Sequence, residues 1–402
     1  MSLPRHILVL GGTLPIARHI IYHLVFGGVL PEGSTIRAVD RRLLSMAHLS
    51  PKHEQAYAKV EYIQANLSDP KAVERVFQRQ DKSGAQGSFD WVFNCASDAG
   101  EWEVEEVWRQ RYVERPLSCA RQAVATGVQV YIHLSSGNFY PDDPDEFPNE
   151  SLPLVGEHDQ AKYTRLMEEA LQSVPGLPLV LFRPAFPWGL EDRSFTLAVL
   201  VSCDLHTRAS EPWVFLWNKK HKVQGCNYID IARAFHHVAK WYETANIDKG
   251  KPLIYNLAGE KGVTSVELMD LYKALFPDLY FSIPDNDDLI GDTVSFKSMK
   301  EMQTCMNRTL EGLWLRLLDQ HGIKDCPLIP YIGIEFLTRQ SFRVDGSAIT
   351  RDTGFQYKYD GTINKEAIGE IMQDYMDRGL WPSRALHEPA PKNTVPPILE
   401  ND

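Results

Sequence analysis

A short turn of small residues, followed later in the chain by a single acid, is the part of this sequence best suited to chemistry. Gly11 and Gly12 follow the apolar run Ile7–Leu10, and a second run, Thr35–Val39, ends at Asp40. A turn between a strand and a helix offers N–H groups and the positive end of the helix dipole to a pyrophosphate. A carboxylate after the next strand accepts hydrogen bonds from ribose hydroxyls. The spacing therefore predicts a dinucleotide site.

The glycine turn departs from the usual G-x-G-x-x-G/A pattern at its centre. Ala17 fills the last small position, but Leu14 stands where glycine is usual. A bulky residue there restricts how closely the backbone can approach a phosphate. Two interpretations stay open, a retained nucleotide site and a Rossmann-like domain that has stopped binding its nucleotide. For the first, the predicted contact residues of this unit are Gly11, Gly12, Thr13, Leu14, Pro15, Ile16, Asp40 and Arg41.

Strand and helix patterns alternate to about residue 190, which predicts an α/β fold with a Rossmann-type doubly wound parallel sheet. The next strands are predicted at Tyr62–Ala65, Asp90–Ser97 and Val128–Leu134, with a long helix over Trp108–Ala125. Small residues at a strand exit suit a cofactor that lies across the carboxyl ends of the strands. Ordinary turn chemistry explains them equally well. The further cofactor contacts predicted at these exits are Asn66, Leu67, Cys95, Ala96 and Ser97.

Composition narrows the class of protein and of partner. The chain has 402 residues, 44% of them hydrophobic, which is enough for one large or two coupled domains with a full core. A net charge of −11 without a basic cluster argues against nucleic acid. The six cysteines form no C-x-x-C pair, so neither a metal site nor a disulfide framework is indicated.

Targeting signals are also missing from the pattern. No apolar stretch reaches membrane-spanning length, and the first predicted strand begins too soon after Met1 for a signal peptide. We therefore expect a cytoplasmic protein with a small-molecule partner and with neither a membrane nor a nucleic-acid partner. A homodimer is compatible with the sequence, which leaves the oligomeric state open.

Several motifs in order make a family resemblance specific. Ser136 and Tyr140 match a Ser-Ser strand end followed four residues later by Tyr, and Arg183–Gly189 matches Arg-Pro-x-x-x-Tyr-Gly with Trp for Tyr. Asn227–Ala234 and Tyr255–Gly259 match two later segments. The chain resembles the extended short-chain dehydrogenases/reductases, the NAD(P)-dependent epimerase/dehydratase family, over about residues 6–382. It is an atypical member because the usual catalytic Tyr is missing.

The resemblance implies two lobes with a substrate between them. Residues 1–190 would form the dinucleotide-binding Rossmann domain, to which 226–259 returns. Residues 191–384 would form mainly a smaller C-terminal substrate-binding lobe. Residues 385–402 contain four prolines and no apolar period, which predicts a flexible tail.

A catalytic set is implied in the same way. In the family, a Tyr moves a proton at a carbonyl or alcohol, a Lys four residues later holds the nicotinamide ribose, and a Ser or Thr orients the oxygen. Ser136 matches the hydroxyl. Lys162, 21 residues before Arg183, best matches the lysine, which places His158 at the Tyr position. The implied cofactor contacts then extend to Lys162, Pro184, Ala185 and Phe186.

The role of His158 has three interpretations. Its imidazole has a reference pKa of about 6.5, which suits proton transfer near neutral pH. It is equally interpreted as a helix-start residue without a chemical role, or as a hydrogen-bond donor to substrate in a protein without redox chemistry. The helix alignment is itself open, because the acids Glu168 and Glu169 lie further from Lys162 than is usual in the family.

Two classes of function follow. The first is an NAD(P)-dependent oxidoreductase, epimerase or dehydratase that acts on a hydroxyl- or carbonyl-bearing small molecule. The second is a degenerate member without redox chemistry, either a non-redox isomerase or a dinucleotide-binding or sensing protein. Asp40 favours NAD because a carboxylate repels a 2′-phosphate, while Arg41 and Arg42 keep NADP as the alternative.

Overall fold

The computed structural model describes residues 3–80, 86–97, 103–141, 147–156, 158–214, 219, 221–283, 296–338 and 341–382. The chain divides into two compact units. Unit 1 contains residues 1–187, 224–262 and 342–362, and unit 2 contains 188–223, 263–341 and 363–402. These bounds differ from the sequence prediction mainly at 342–362, which belongs to unit 1. The predicted tail, 385–402, lies outside the described residues.

The strands and helices are short and numerous. The strands are β1 (His6–Leu10), β2 (Thr35–Asp40), β3 (Glu61–Gln64), β4 (Arg79–Gln80), β5 (Gln86–Gly87), β6 (Trp91–Asn94), β7 (Val130–Leu134), β8 (Leu179–Pro184), β9 (Pro187–Trp188), β10 (Trp213–Val214), β11 (Lys222–Val223), β12 (Cys226–Asn227), β13 (Leu253–Leu257), β14 (Val263–Thr264), β15 (Phe281–Ser282) and β16 (Ser341–Phe342). The helices are α1 (Pro15–Phe26), α2 (Pro51–Tyr57), α3 (Pro70–Phe77), α4 (Glu105–Trp108), α5 (Arg115–Ala125), α6 (Asp159–Gln172), α7 (Phe195–Ala209), α8 (Tyr228–Thr244), α9 (Ser265–Leu275), α10 (Phe296–Gln320), α11 (Glu335–Thr338), α12 (Ser347–Thr353) and α13 (Lys365–Asp377).

Unit 1 is built on a seven-stranded sheet in the order β13-β8-β7-β6-β1-β2-β3. Each neighbouring pair in it is parallel. The chain runs outward from β1 to β3 in one direction and from β6 to β13 in the other. This reversal between β1 and β6 is the point at which doubly wound sheets bind ligands, outside the carboxyl ends of the strands. The predicted α/β, Rossmann-type doubly wound sheet is confirmed.

Alternating side chains of β1 supply both cores of unit 1. Ile7 and Val9 pack with residues of α1 and α8 on one face of the sheet. Leu8 and Leu10 pack with residues of α3, α5 and α6 on the other face. A strand that is apolar at every position is expected where helices cover both faces of a parallel sheet. The helices thereby hold the carboxyl ends of the strands in fixed positions.

The helical run that the sequence predicts at Trp108–Ala125 begins earlier and changes its winding. It begins with α4, passes through a π-helical stretch over Arg109–Glu114 and continues as α5. Pro116 supplies the reason. A proline lacks the N–H that would bond to the carbonyl four residues earlier, and its ring clashes with that carbonyl. A wider turn ahead of the proline lets the helix continue.

Unit 2 has its own core around tryptophan rings. Trp314 of α10 packs edge-on against Trp381, with ring centroids 5.5 Å apart. The buried indole nitrogens are satisfied, because Trp314 donates to the Leu328 carbonyl at 2.8 Å and Trp381 donates to Asp204 at 3.0 Å. No helix within the described residues is long and apolar enough to cross a membrane.

Candidate functional site

A cleft in unit 1 opens where β1, β2, β3 and β6 end. Seven of its lining residues are predicted cofactor contacts. Of the other three, Arg42 entered the sequence prediction only through the NADP alternative, and Ala65 and Arg115 were not predicted as contacts. The lining residues are Gly11, Leu14, Asp40, Arg41, Arg42, Ala65, Asn66, Leu67, Ala96 and Arg115. The sequence therefore predicted most of this cleft, and the cleft lies at the reversal point of the sheet.

Gly11 is required where the turn leaves β1. Its φ is +71°, a conformation that side chains disfavour. A Cβ atom at Gly11 would also lie 2.8 Å from the amide nitrogen of Ala96. Because Ala96 follows β6, the turn packs directly against the exit of the neighbouring strand. Glycine at position 11 thus allows the turn after β1 to pack against the residues that follow β6.

The amides of the turn itself are largely committed within the protein. The Gly12 amide donates to the Val39 carbonyl at 2.9 Å, and the Leu14 amide donates to the Gly11 carbonyl at 3.0 Å. The Thr13 amide donates to Asp40 at 3.0 Å. Pro15, the first residue of α1, has no N–H. The next amides, at the second and third positions of α1, belong to the group that has no intrahelical partner.

Two buried side chains hold the turn from behind. The Tyr57 hydroxyl donates to the Gly12 carbonyl. Arg18 is fully buried and donates from Nε to the Thr13 carbonyl at 2.7 Å. The same guanidinium also bonds to the carbonyls of Ala47 and His48. These contacts fix the turn and leave its outer side to the cleft.

Asp40 faces the turn as well as the cleft. Its Oδ2 accepts from the Thr13 amide at 3.0 Å and from the Thr13 hydroxyl at 2.8 Å. Its Oδ1 accepts from the Arg42 amide at 3.1 Å. A carboxylate has about four acceptor positions, so it can still accept from a ribose hydroxyl. The sequence predicted the ribose contact and missed that Asp40 positions the turn.

Two further predicted contacts at strand exits lie outside the lining of this cleft. The Ser97 hydroxyl lies 3.4 Å from Nε2 of His133 on β7. Burial raises the pKa of the Cys95 thiol far above its usual range, which keeps the thiol protonated. At the end of β8, the Ala185 amide donates to the Leu257 carbonyl at 3.0 Å, and Phe186 donates to Asn138 at 3.0 Å. Pro184, Ala185 and Phe186 therefore lie at the same edge of the sheet, two strands beyond β6.

The candidate catalytic residues lie on the loop after β7 and on α6. The Ser136 hydroxyl accepts from the Asn138 amide at 3.2 Å. His158 is the N-cap of α6, and its Nδ1 accepts from the Ala161 amide at 3.4 Å. Its ring lies edge-on to Phe139, with centroids 5.3 Å apart. When Nδ1 accepts in this way, the neutral ring carries its proton on Nε2 and presents a donor there.

Lys162 lies one helical turn after His158. Its Nζ is 2.9 Å from a Glu105 oxygen, which also accepts from the Tyr163 hydroxyl at 2.7 Å. The hydrogen bond that Lys162 donates to Glu105 raises the pKa of the Lys162 ammonium. Six residues later on the helix, Glu168 points about 120° away from Lys162. A nicotinamide-ribose contact by Lys162 would require release from Glu105, and that role stays a prediction.

The face of α6 that meets the sheet carries a buried polar network. Both Arg183 and Glu168 are almost fully buried and form a bidentate ion pair, with Nε of Arg183 2.9 Å from Oε1 of Glu168. Arg183 also donates to the Tyr140 hydroxyl at 2.6 Å, and Tyr140 donates to Asn256 at 2.7 Å. Burial raises the pKa of Tyr140 to about 12 although Arg183 opposes the shift. Tyr140 is thus held protonated within the core.

Ser135 and Thr164 show which part of α6 approaches the end of β7. The Ser135 hydroxyl donates to Glu168. Thr164 lies one helical turn before Glu168 on the same side and is buried.

Within the described residues, no group of three or more His, Cys, Asp or Glu side chains could hold a metal ion.

Comparisons with known proteins agree with this architecture. A model of the NAD dependent epimerase/dehydratase family matches residues 7–258. No curated protein matches the sequence. Among solved structures, a dTDP-glucose 4,6-dehydratase from Streptomyces venezuelae with NAD and TYD bound is 14% identical, with 94% of this chain and 98% of that chain covered and a TM-score of 0.64.

Two other solved structures are similar to the same extent. A UDP-glucose-4-epimerase from Stenotrophomonas maltophila, with bound NAD and formylated UDP-arabinopyranose, is 15% identical with a TM-score of 0.64, and 93% of this chain and 99% of that chain are covered. The protein MoeE5, in complex with UDP-glucose and NAD, is 15% identical with a TM-score of 0.62, and 94% and 100% are covered. At these identities the likeness shows the shared fold.

Proposed function

Because the chain belongs to the NAD dependent epimerase/dehydratase family, we propose that it binds NAD in the cleft of unit 1 and acts on a sugar nucleotide. The cleft carries this proposal, since it brings Gly11, Asp40, Asn66 and Ala96 together at the reversal point of the sheet. The substrate class is supported by the similar solved structures, which hold NAD together with UDP-glucose, formylated UDP-arabinopyranose or TYD.

The cleft residues fit the adenosine half and the diphosphate of NAD. Asp40 keeps an acceptor position for the ribose beside the three bonds that it accepts within the protein. The N-terminus of α1 lies behind Leu14 and has no side-chain cap. Its amides and dipole favour an anion. A 2′-phosphate would meet the Asp40 carboxylate, so we propose NAD rather than NADP, as the sequence predicted.

NAD, when bound, would supply an acceptor for a hydride from the sugar carbon that bears a hydroxyl, and the hydroxyl proton would pass to a base of the protein. The residues of this chain would then bind the nucleotide and control the proton. Ser136 would orient the sugar oxygen. His158 would donate a hydrogen bond from Nε2, because its Nδ1 is used by the cap of α6. For His158 to accept a proton at Nδ1, its bond to the Ala161 amide would have to break.

The second class, a member that binds a dinucleotide without redox turnover, stays the alternative. Lys162 is paired with Glu105, and Tyr140 is held by Arg183 and Asn256. To assist Ser136, Lys162 would have to leave Glu105, and Tyr140 would have to leave Arg183 and Asn256. In the second class the protein would bind NAD and a sugar nucleotide but would leave the sugar unchanged.

Calorimetry with NAD, NADP and UDP- and dTDP-hexoses tests binding first. Incubation of the same sugars with protein and NAD, followed by mass spectrometry and by absorbance of the reduced nicotinamide, then tests turnover. Ser136→Ala should keep NAD affinity and lower turnover. An absence of NAD binding would refute the proposal, and binding without product would select the second class.

The cellular compartment and the oligomeric state of the protein are also proposals. The six cysteines are free thiols, four of them buried, which supports a reducing compartment such as the cytoplasm. A homodimer is proposed from the sequence alone. Cell fractionation and light scattering of the purified protein test these two points.

A further inference from the structure

Arg115 is a charged residue of the cleft that the proposed nucleotide site does not yet explain. Its side chain is 6% exposed and lines the cleft together with Gly11, Leu14 and Ala96. These three residues form the glycine turn and the strand exit packed against it. A guanidinium is therefore built into the part of the cleft where a diphosphate would meet the turn.

The local helix geometry determines where Arg115 lies. Arg115 follows the π-helical stretch Arg109–Glu114 and precedes Pro116. A π-helical stretch shifts the residues that follow it around the helix axis, and such stretches are frequent at functional sites. The placement of Arg115 thus depends on a deviation from regular winding, which a regular helical period does not predict.

The charge of Arg115 also lowers the pKa of a histidine on the next strand of the sheet. His133 of β7 is fully buried, and its pKa is lowered to about 3, first by burial and then by Arg115. His133 contacts Ser97, which follows β6. Arg115 is therefore close to the exits of both β6 and β7, along the direction in which an extended dinucleotide would cross the sheet.

The turn offers few backbone N–H groups to a phosphate, and a cation can replace them. The amides of Gly12, Thr13 and Leu14 donate within the protein, and Pro15 has no amide hydrogen. The Leu14 side chain keeps a phosphate further from the backbone than glycine would. A guanidinium binds phosphate oxygens with two parallel charge-assisted hydrogen bonds and reaches further than a backbone amide.

From these observations we propose that Arg115 binds the diphosphate of the dinucleotide and replaces contacts that the glycine turn does not make. The inference rests on the proposed NAD site and adds a residue to it. It also names the part of the ligand that Arg115 recognises, which is the diphosphate and neither the adenine nor the nicotinamide.

A ligand series measured by calorimetry separates this role from a structural one. Adenosine, ADP-ribose and NAD are titrated into the wild type, Arg115→Gln, Arg115→Lys and Arg121→Gln. Arg121 is an exposed arginine of the same helix and controls for the loss of one charge. Arg115→Gln should weaken ADP-ribose and NAD by roughly 10- to 100-fold and leave adenosine unchanged. Arg115→Lys should recover part of the loss, and Arg121→Gln should resemble the wild type.

The outcomes distinguish the two proposals. If the wild type binds none of the three ligands, the proposed function fails. If the wild type binds NAD and Arg115→Gln binds ADP-ribose equally well, only the role of Arg115 is refuted. An equal loss for adenosine and ADP-ribose would also refute it, because a general distortion of the cleft would then explain the effect. If Arg115→Gln does not fold, Arg115→Lys is used instead. Its ratio of ADP-ribose affinity to adenosine affinity should be lower than that of the wild type, and an unchanged ratio would refute the role of Arg115.

Discussion

Replacement of Asp40 by alanine should damage both the glycine turn and the choice of nucleotide. Asp40 is 7% exposed and accepts from the Thr13 amide, the Thr13 hydroxyl and the Arg42 amide. Thr13 is 1% exposed, so both of its donors would lose their acceptor out of reach of water. A buried donor left unsatisfied costs about 1–3 kcal/mol. We expect Asp40→Ala to lower the free energy of unfolding by about 3 kcal/mol.

A double-mutant cycle isolates the contact with Thr13. Thr13→Val keeps the shape and removes the hydroxyl, and it should cost about 1 kcal/mol in the wild type. In the Asp40→Ala background it should cost almost nothing, because the hydroxyl has no acceptor there. Urea unfolding of the four proteins gives the coupling energy, expected to be about 1 kcal/mol. Additive effects would show that Asp40 does not hold the turn through Thr13.

The same variant tests the nucleotide preference. The wild type should bind NAD more tightly than NADP, because the carboxylate accepts from ribose hydroxyls and repels a 2′-phosphate. Asp40→Ala should lose affinity for NAD and lose less for NADP, so the two affinities should converge. Tighter NADP binding by the wild type, or unchanged NAD affinity in Asp40→Ala, would refute the reasoning.

Four further changes have definite expected results. Leu14→Gly should raise NAD affinity because the backbone can approach the diphosphate more closely, and calorimetry that shows no change would place Leu14 away from the ligand. Lys162→Ala should weaken NAD binding strongly, because the exposed pair with Glu105 is weak enough for Lys162 to leave it for the nicotinamide ribose; full NAD affinity in this variant would exclude the ribose contact that the family resemblance implies. His158→Phe should bind NAD nearly as the wild type does, and its turnover should fall by ~10²–10⁴ if the imidazole transfers the proton. The folded-state pKa of His133 is about 3 against 6.5 in the unfolded chain, so the unfolded chain takes up the proton first. The free energy of unfolding should therefore fall as the pH drops below 6.5, by ~1.4 kcal/mol per pH unit for this residue. His133→Gln should show a flatter dependence of stability on pH, and an unchanged dependence would contradict the assignment.

The sheet was predictable because its pattern is local and repeated. Most strands of the seven-stranded sheet are short, largely apolar runs that end in or are followed by small or polar residues, and β1 is apolar at every position from Ile7 to Leu10. Such runs, alternating with helices, admit few arrangements other than a parallel sheet with both faces covered. The residues just after these strands then had to meet at one edge. That is why Gly11, Asp40, Asn66 and Ala96 could be named together from the sequence.

Arg115 could not be named in that way, and the reason is geometric. A helical pattern assigns each residue to a face by steps of about 100°. The π-helical stretch Arg109–Glu114 breaks this rule directly before Arg115. Pro116 is the signal that could have revealed it, since a proline inside a predicted helix demands a local change of winding. The pattern over Trp108–Ala125 predicts one regular helix, and a regular helix does not bring Arg115 to the cleft.

The start of α6 shows why the catalytic assignment is harder to predict than the cofactor cleft. A spacing of four residues between His158 and Lys162 puts the two side chains on one side of a helix, whichever side that is. The side that meets the sheet is set by a contact distant in sequence, the buried pair of Glu168 with Arg183. With Glu168 fixed against β8, Thr164 follows it toward the end of β7, and Lys162 turns to Glu105. His158 caps the helix one turn before Lys162, so the two residues lie on the same side and the contact of Lys162 with Glu105 alone does not decide which of them reaches Ser136. The variants Lys162→Ala and His158→Phe therefore separate the roles of these two neighbouring residues by experiment.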